Sequence, residues 1–342
     1  QAVADGLGGV IAEHGRAAVG AYVGNPNAHN LGALLYNRAF LRALGSPNVF
    51  SASTVDQRPK EIATGLMFGN VLTTPVPDLD RTDHLVILGA NPFASNGSFA
   101  TAPDWPGRLR GIVERGGQVV VVDPRRTKTA EEATDHVPIR PGADPYLLAA
   151  MVQELFAADL VDLGTVGEHV ARVDELADAV APFTPEAVAD RCGVPADTIR
   201  RLAHDLVAAP SAAVYARIGT TTSPFGTVTS WLVDVLNICT GNLDRPGGAM
   251  FTTAAAGASN TRGAPRYGRG IRLGRRRSRV RGLPETLGEL PVVALAEEIE
   301  TPGEGQIRAM ITVAGNPVLS TPDSARLDAA FASLDFEAPT DD

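Results

Sequence analysis

Two continuous apolar runs, Leu85-Val86-Ile87-Leu88 and Val119-Val120-Val121-Val122, limit the fold more than any other feature of this 342-residue chain. Each is short, bounded by turn residues, and apolar at every position rather than every second one, the pattern of a strand covered on both faces. Between them a helix-length segment, Trp105 to Arg115, ends at Gly116-Gly117, so the stretch reads as a βαβ unit in a parallel sheet. Ala212-Ala213-Val214-Tyr215 reads as a further buried strand. The first two strands empty into loops suited to a phosphorylated ligand, Gly89-Ala90-Asn91-Pro92 and Asp123-Pro124-Arg125-Arg126-Thr127. Ligands collect at the carboxyl ends of strands in open α/β sheets, so these two loops are expected to line one crevice.

The loop form recurs along the chain. After the strand-like run Ile307 to Val313, Gly315-Asn316-Pro317-Val318-Leu319-Ser320 repeats the Gly-x-Asn-Pro-x-x-Ser of Gly89 to Ser95 with one residue fewer between Gly and Asn. Gly24-Asn25-Pro26, after the run Ala17 to Val23, is a third echo. A ligand present twice, or a symmetric one, is implied. Arg217-Ile218-Gly219-Thr220-Thr221-Thr222-Ser223 follows the Ala212 strand and precedes a helix over Val228 to Thr240, which suits an anion site or, as plainly, a cap on a core helix. Pro138 to Asp144 gives a strand end, a turn at Gly142 and an acid, Asp144, placed as N-cap of a helix over Tyr146 to Ala157, with ligand contact as the alternative. Ser53 to Pro59 reads as a polar loop entering a helix over Lys60 to Phe68. Asp56 in that loop suits a cap near the positive end of the helix, and it also suits a hard metal; spacing does not decide.

A net charge of -9 argues against wholesale binding of nucleic acid. Against that background Arg262 to Arg281 carries nine arginines and no acid. A solvated loop is the plain reading of such a run. With Tyr267 as its only aromatic, a segment closing over phosphates or an acidic partner is preferred to a nucleic-acid surface. Cys192 and Cys239 lie far apart and support neither a disulfide framework nor a thiolate metal site, which leaves buried thiols. No apolar run nears the roughly 20 residues that cross a bilayer, so no direct membrane span is expected. The chain opens on Gln1 without a charged leader, which reads as a fragment and leaves the compartment cytoplasmic or unassigned.

Five stretches in this order, LGANPFASN, VVVVDPRRTKTAEEATDHVPIRPGAD, ICTGNLDRPGG, ASNTRGAPRYGRG and VAGNPVLSTPD, resemble the molybdopterin oxidoreductases of the dimethyl sulfoxide reductase family. The similarity covers essentially the whole chain, which looks like the middle of such an enzyme. The resemblance implies two α/β domains of dinucleotide-binding type, with parallel or mixed sheets, related by approximate twofold symmetry. Each would hold one molybdopterin guanine dinucleotide, and the two dithiolenes would bind one molybdenum or tungsten ion. Residues 52–250 would form one domain, and residues 1–51 with 251–342 a discontinuous second domain that holds part of one dinucleotide site.

By the same resemblance, Gly89, Asn91 and Ser95 approach the phosphate and ribose of one dinucleotide, Asp123 accepts from ribose hydroxyls, and Arg125 and Thr127 lie near the pyrophosphate. Gly142 turns the chain towards Asp144, which takes the guanine edge, and Gly219, Thr220, Thr221 and Thr222 lie near the pterin. Asn25, Asn316 and Ser320 belong to the second dinucleotide. The family's metal ligand sits in a loop similar to Val-Cys-His-x-Pro. Here that loop is Val55-Asp56-Gln57-Arg58-Pro59, which makes Asp56 the candidate oxygen ligand and catalytic residue, and Gln57 in place of His departs from formate dehydrogenase chemistry. An amino-terminal iron-sulfur segment and a carboxyl-terminal domain of the relatives have no counterpart here, so the chain alone is expected not to turn over. The implied activity is two-electron redox chemistry on a small-molecule substrate, with an electron-transfer subunit as an optional partner. The competing reading is a non-catalytic cofactor-binding subunit or carrier that keeps the dinucleotide loops. A nicotinamide dehydrogenase would need Gly-x-Gly-x-x-Gly after a strand, which is lacking.

Overall fold

A computed structural model of the chain describes residues 1–97, 100, 102–252 and 271–340. The strands, in chain order, are β1 Val19–Val23, β2 Asn48–Phe50, β3 Pro75–Pro77, β4 His84–Leu88, β5 Gln118–Val122, β6 Asp135–Val137, β7 Ala212–Ala216, β8 Ala249–Phe251, β9 Leu273–Arg277, β10 Pro284–Thr286, β11 Ala309–Val313 and β12 Phe336–Thr340. Packing divides the chain into two compact units, Gln1–Arg58 with Ile271–Asp342, and Pro59–Gly270.

In the second unit the strands lie in the order β6-β5-β4-β7, all parallel, with Leu85 opposite Val119 on one side and Ala213 on the other. Alternate residues of the apolar runs serve opposite faces. Leu85, Ile87, Val119 and Val121 pack with Trp105, Leu109 and Ile112 of the helix Trp105–Glu114. Val86, Leu88, Val120 and Val122 pack with the helices Asp144–Ala157, Ala196–Ala208 and Gly226–Cys239. Both faces are therefore dry, which is why the runs show no polar alternation. The short ribbon of β3 and β8 is antiparallel.

The first unit repeats this plan with a sheet in the order β12-β11-β1-β2, again all parallel. Val19, Ala21, Ala309 and Ile311 face the helix Ala2–His14 through Leu7 and Val10, while Tyr22, Phe50 and Met310 face a cluster that includes Leu295, Leu327 and Phe331. In each sheet one central strand has its sequence successor on one side and a strand distant in sequence on the other: β4 lies between β5 and β7, and β1 between β2 and β11. That arrangement is a topological switch point.

Several sequence expectations need correction. The first unit runs on through Arg58 rather than stopping at Ser51, because Ser51, Thr54 and Arg58 are tied to Glu289 and Val292 of the same unit. At the other boundary Phe251 stays with the second unit, since β8 pairs with β3. The supposed loop 53–59 contains a one-turn helix, Ser53–Asp56, and the next helix, Arg58–Phe68, has Pro59 in its first turn. As for the arginine run, its residues 262–270, with the stretch ASNTRGAPRYGRG, lie outside the described residues. In the described remainder Arg275 pairs with Glu285 at 2.6 Å, Arg281 with Glu297 at 2.6 Å and Arg279 with Glu298 at 3.4 Å. The acidic partners of these three arginines belong to the chain itself, and β9 and β10 form an antiparallel hairpin rather than a loop.

Candidate cofactor site

At the switch point of the second unit two glycines abut. The Gly219 N–H donates to the Gly89 carbonyl at 2.9 Å, and a Cβ on Gly219 would stand 2.8 Å from the Gly89 Cα. Gly89 has φ +54, a left-handed conformation that L side chains resist, and its own Cβ would stand 2.8 Å from the Thr220 nitrogen. Backbone thus lies on backbone at the carboxyl ends of β4 and β7, where a side chain on either glycine would not fit.

The loops after β4 and β5 line one cavity of about 350 Å³, with Asn91, Phe93 and Ala94 on one side and Arg125, Arg126, Thr127, Lys128 and Glu131 on the other. They are joined by Thr129, whose hydroxyl donates to Asn91 Oδ1 at 2.7 Å and accepts from the Phe93 N–H at 3.2 Å. Thr127 caps the short helix Lys128–Glu132 by accepting from the Ala130 N–H at 3.2 Å, and Asp123 accepts from the Arg125 N–H at 2.8 Å. These ties leave the Arg125 and Arg126 guanidiniums exposed at the mouth of the cavity, a cationic setting for an anion. Ser95 is exposed and donates to the Asn91 carbonyl at 3.3 Å.

Asp144 is buried, 5% exposed, and is the first residue of its helix rather than the N-cap, which is Ala143. Burial, opposed by its own backbone N–H and aided by the charge of Asp123, raises its carboxyl to about 6. Asp123 and Asp144 thus lie close enough to feel one another. Gly142, at φ +76, would place a Cβ 3.6 Å from the Ser223 side chain, so the turn before Asp144 meets the segment that follows the threonines. Thr220, Thr221 and Thr222 turn their hydroxyls back to the carbonyls of Arg217, Ile218 and Ile218, at 2.8, 3.3 and 3.0 Å. Those hydroxyl protons are spent locally; Thr220 and Thr221 are buried, and Gly219 and Thr222 are the exposed members of the segment.

The first unit builds the same contact between Gly24 and Gly315. A Cβ on Gly315 would stand 2.7 Å from the Gly24 Cα, and one on Gly24 would collide with the Ala314 carbonyl. Asn27 stitches this edge by donating to the Gly24 carbonyl at 2.8 Å and the Val313 carbonyl at 2.9 Å. Asn25 is exposed in a one-turn 3-10 helix. Asn316 caps the turn Pro317–Ser320 by accepting from the Leu319 N–H at 3.3 Å, and it borders a cavity of about 350 Å³ with Gly315, Leu319, Asp328 and Glu337. Ser320 shares a hydrogen bond of 2.8 Å with the hydroxyl of buried Tyr22. Burial raises the Tyr22 hydroxyl, the Ser320 bond opposes this, and the charges of Asp56 and Glu289 add to it, which places both acids near that hydroxyl.

Asp56 closes the one-turn helix Ser53–Asp56 and is half-buried. Among the described residues no group of three or more His, Cys, Asp or Glu is arranged to hold a metal. A metal at Asp56 would therefore take most of its ligands from a cofactor. Sequence reasoning missed Thr129, Asn27, Tyr22 and Glu289. It also missed the ion pair of Lys60 with Asp234, at 2.7 and 2.8 Å, in the second unit. Only Asp234 announced itself, as a lone acid in the apolar stretch Trp231-Leu232-Val233-Asp234-Val235-Leu236.

The sequence matches the molybdopterin oxidoreductase family over residues 1–336. It is 28% identical over 306 residues to the F420-dependent formate dehydrogenase 2 subunit alpha of Methanococcus maripaludis, covering 86% of this chain and 44% of that protein. With the thiosulfate reductase molybdopterin-containing subunit PhsA of Salmonella typhimurium it shares 30% identity over 72% of this chain and 31% of the relative. Among solved structures, acetylene hydratase from Pelobacter acetylenicus superimposes with a TM-score of 0.74 at 17% identity, covering 99% of this chain and 49% of that one. The chain thus spans less than half the length of these relatives.

Proposed function

The chain belongs to the molybdopterin oxidoreductase family, and from that premise we propose that it is the cofactor-holding part of an enzyme that carries out two-electron redox chemistry on a small molecule. The two dinucleotides are molybdopterin guanine dinucleotides, one at the carboxyl edge of each sheet, and the metal is molybdenum or tungsten with Asp56 as its protein ligand. The observation that carries this reading is the repeated glycine contact: Gly89 on Gly219 in one unit and Gly24 on Gly315 in the other, each at a switch point of a parallel sheet. One such contact suits any dinucleotide fold, whereas two in one chain support a cofactor bound twice.

In this reading Asp123 and Asp144 accept from ribose hydroxyls and from the guanine edge, Arg125 neutralises pyrophosphate, and Gly89 and Gly219 admit the ligand to the backbone. Gly142 sets the turn that delivers Asp144. Asn25, Asn316 and Ser320 do the corresponding work in the first unit, with Tyr22 fixing the Ser320 hydroxyl. When bound, the metal and its dithiolenes supply the redox centre; the protein binds them, orients them and keeps water from them. An electron-transfer subunit is a further proposed partner, because a centre of this kind must exchange electrons with something.

The test is cofactor occupancy of the protein isolated with its metal. Asp123→Ala should weaken the second unit's dinucleotide by about 1–3 kcal/mol, the worth of charge-assisted hydrogen bonds, with little effect on unfolding. Equal occupancy in variant and parent would remove Asp123 from the site. Bound dithiolene without a redox-active metal would instead favour the carrier.

A further inference from the structure

The turn that carries Asp56 is tied locally through Ser51, whose Oγ accepts from the Ser53 N–H at 3.2 Å and whose carbonyl accepts from the Thr54 hydroxyl at 3.0 Å. It is a helix of four residues, Ser53–Asp56, with Ala52 at its N-cap and no side-chain cap, so it has few backbone bonds to set against its ordering cost. Further ties come from a segment more than two hundred residues later in the same unit. Ser51 Oγ donates to Glu289 Oε2 at 2.5 Å, and the Arg58 guanidinium meets the same oxygen at 2.6 Å. One carboxylate therefore grips both ends of the turn. Within the turn, the Thr54 hydroxyl accepts from the Val292 N–H at 2.9 Å, and just before it the Leu290 N–H donates to the Val49 carbonyl at 2.8 Å. Glu289 is itself fixed, since it exchanges two backbone hydrogen bonds with Thr286 at 2.9 and 3.0 Å. Thr286 belongs to the β9-β10 hairpin, which the Arg275–Glu285 pair braces.

We propose that Glu289 is the positioning residue for Asp56. It holds the turn from both ends so that one carboxylate is presented in a fixed direction, as a ligand must be. The proposal rests on Asp56 being the protein's metal ligand, and its test keeps the two statements apart.

Hydrogen exchange of the full chain reads the grip directly, at the amides of Asp56 and Gln57, which close the turn onto Ala52 and Ser53. Glu289→Gln keeps an acceptor for Ser51 but removes the charge that meets Arg58, and it should speed exchange there about tenfold; Glu289→Ala should give roughly a hundredfold. The amides of Ala21 and Ile311, in β1 and β11, should not change. No acceleration at Asp56, or equal acceleration in β1 and β11, would overturn the proposal. Should Glu289→Ala not fold, Glu289→Gln, which leaves the bond from the Ser53 N–H to Ser51 Oγ in place, carries the test alone. The second readout is X-ray absorption of the metal-loaded protein, counting light-atom neighbours. Loss of one oxygen neighbour in both Asp56→Ala and Glu289→Ala is expected. Loss in Asp56→Ala alone overturns the role of Glu289, whereas retention in Asp56→Ala removes the ligand reading on which that role rests.

Discussion

Asp144 has the most readable electrostatics of the candidate residues. Its carboxyl titrates near 6 in the folded chain, against 3.8 for a solvated aspartate. Between those values the folded chain keeps a proton that the unfolded chain has released, so this residue's contribution to stability is complete below the lower value and is lost as pH rises through about 6. The full loss is about 3 kcal/mol at most. Asp144→Asn should flatten the slope of unfolding free energy between pH 4 and 6, measured by denaturant titration at each pH. A slope as steep as the parent's would place the titration elsewhere. Donors on a guanine edge need the ionised form, so dinucleotide affinity should rise with pH through the same window and lose that dependence in Asp144→Asn.

Among elements, the helix Gly226–Cys239 and the helix Arg58–Phe68 meet through Lys60 and Asp234, whose side chains are 13% and 2% exposed. Burial pushes Asp234 up and Lys60 opposes it. Lys60→Ala would strand a carboxylate inside the second unit and should cost about 3–5 kcal/mol of unfolding free energy, whereas replacing both members with apolar residues should restore most of it. A single variant within 1 kcal/mol of the parent would show that Asp234 finds other solvation. Strands β4, β5 and β7 were legible in the sequence because burial on both faces writes itself as an unbroken apolar run. The turn Ser53–Asp56 was not, since its ties come from Glu289 and Val292, and no local pattern records a partner so distant. Strand β12, with its Pro339, was likewise invisible: it pairs in parallel with β11 but carries few β-forming residues of its own.

At the scale of the whole molecule the echo of Gly-Asn-Pro loops made the duplication visible before the strands could be paired. It did not show which glycines touch. Gly219 was placed near the pterin by resemblance, whereas its contact with Gly89 is a matter of strand order that only the fold reveals. The contacts give each unit its own test: Gly219→Val and Gly24→Val each push a side chain into backbone and should each empty one dinucleotide position. The central claim is that one chain holds the dinucleotide twice, and the most direct measurement is the guanosine monophosphate released by acid hydrolysis of the isolated metal-loaded protein, counted against metal and chain. Two nucleotides for each metal and each chain are expected. One nucleotide for each metal, or none, would contradict it.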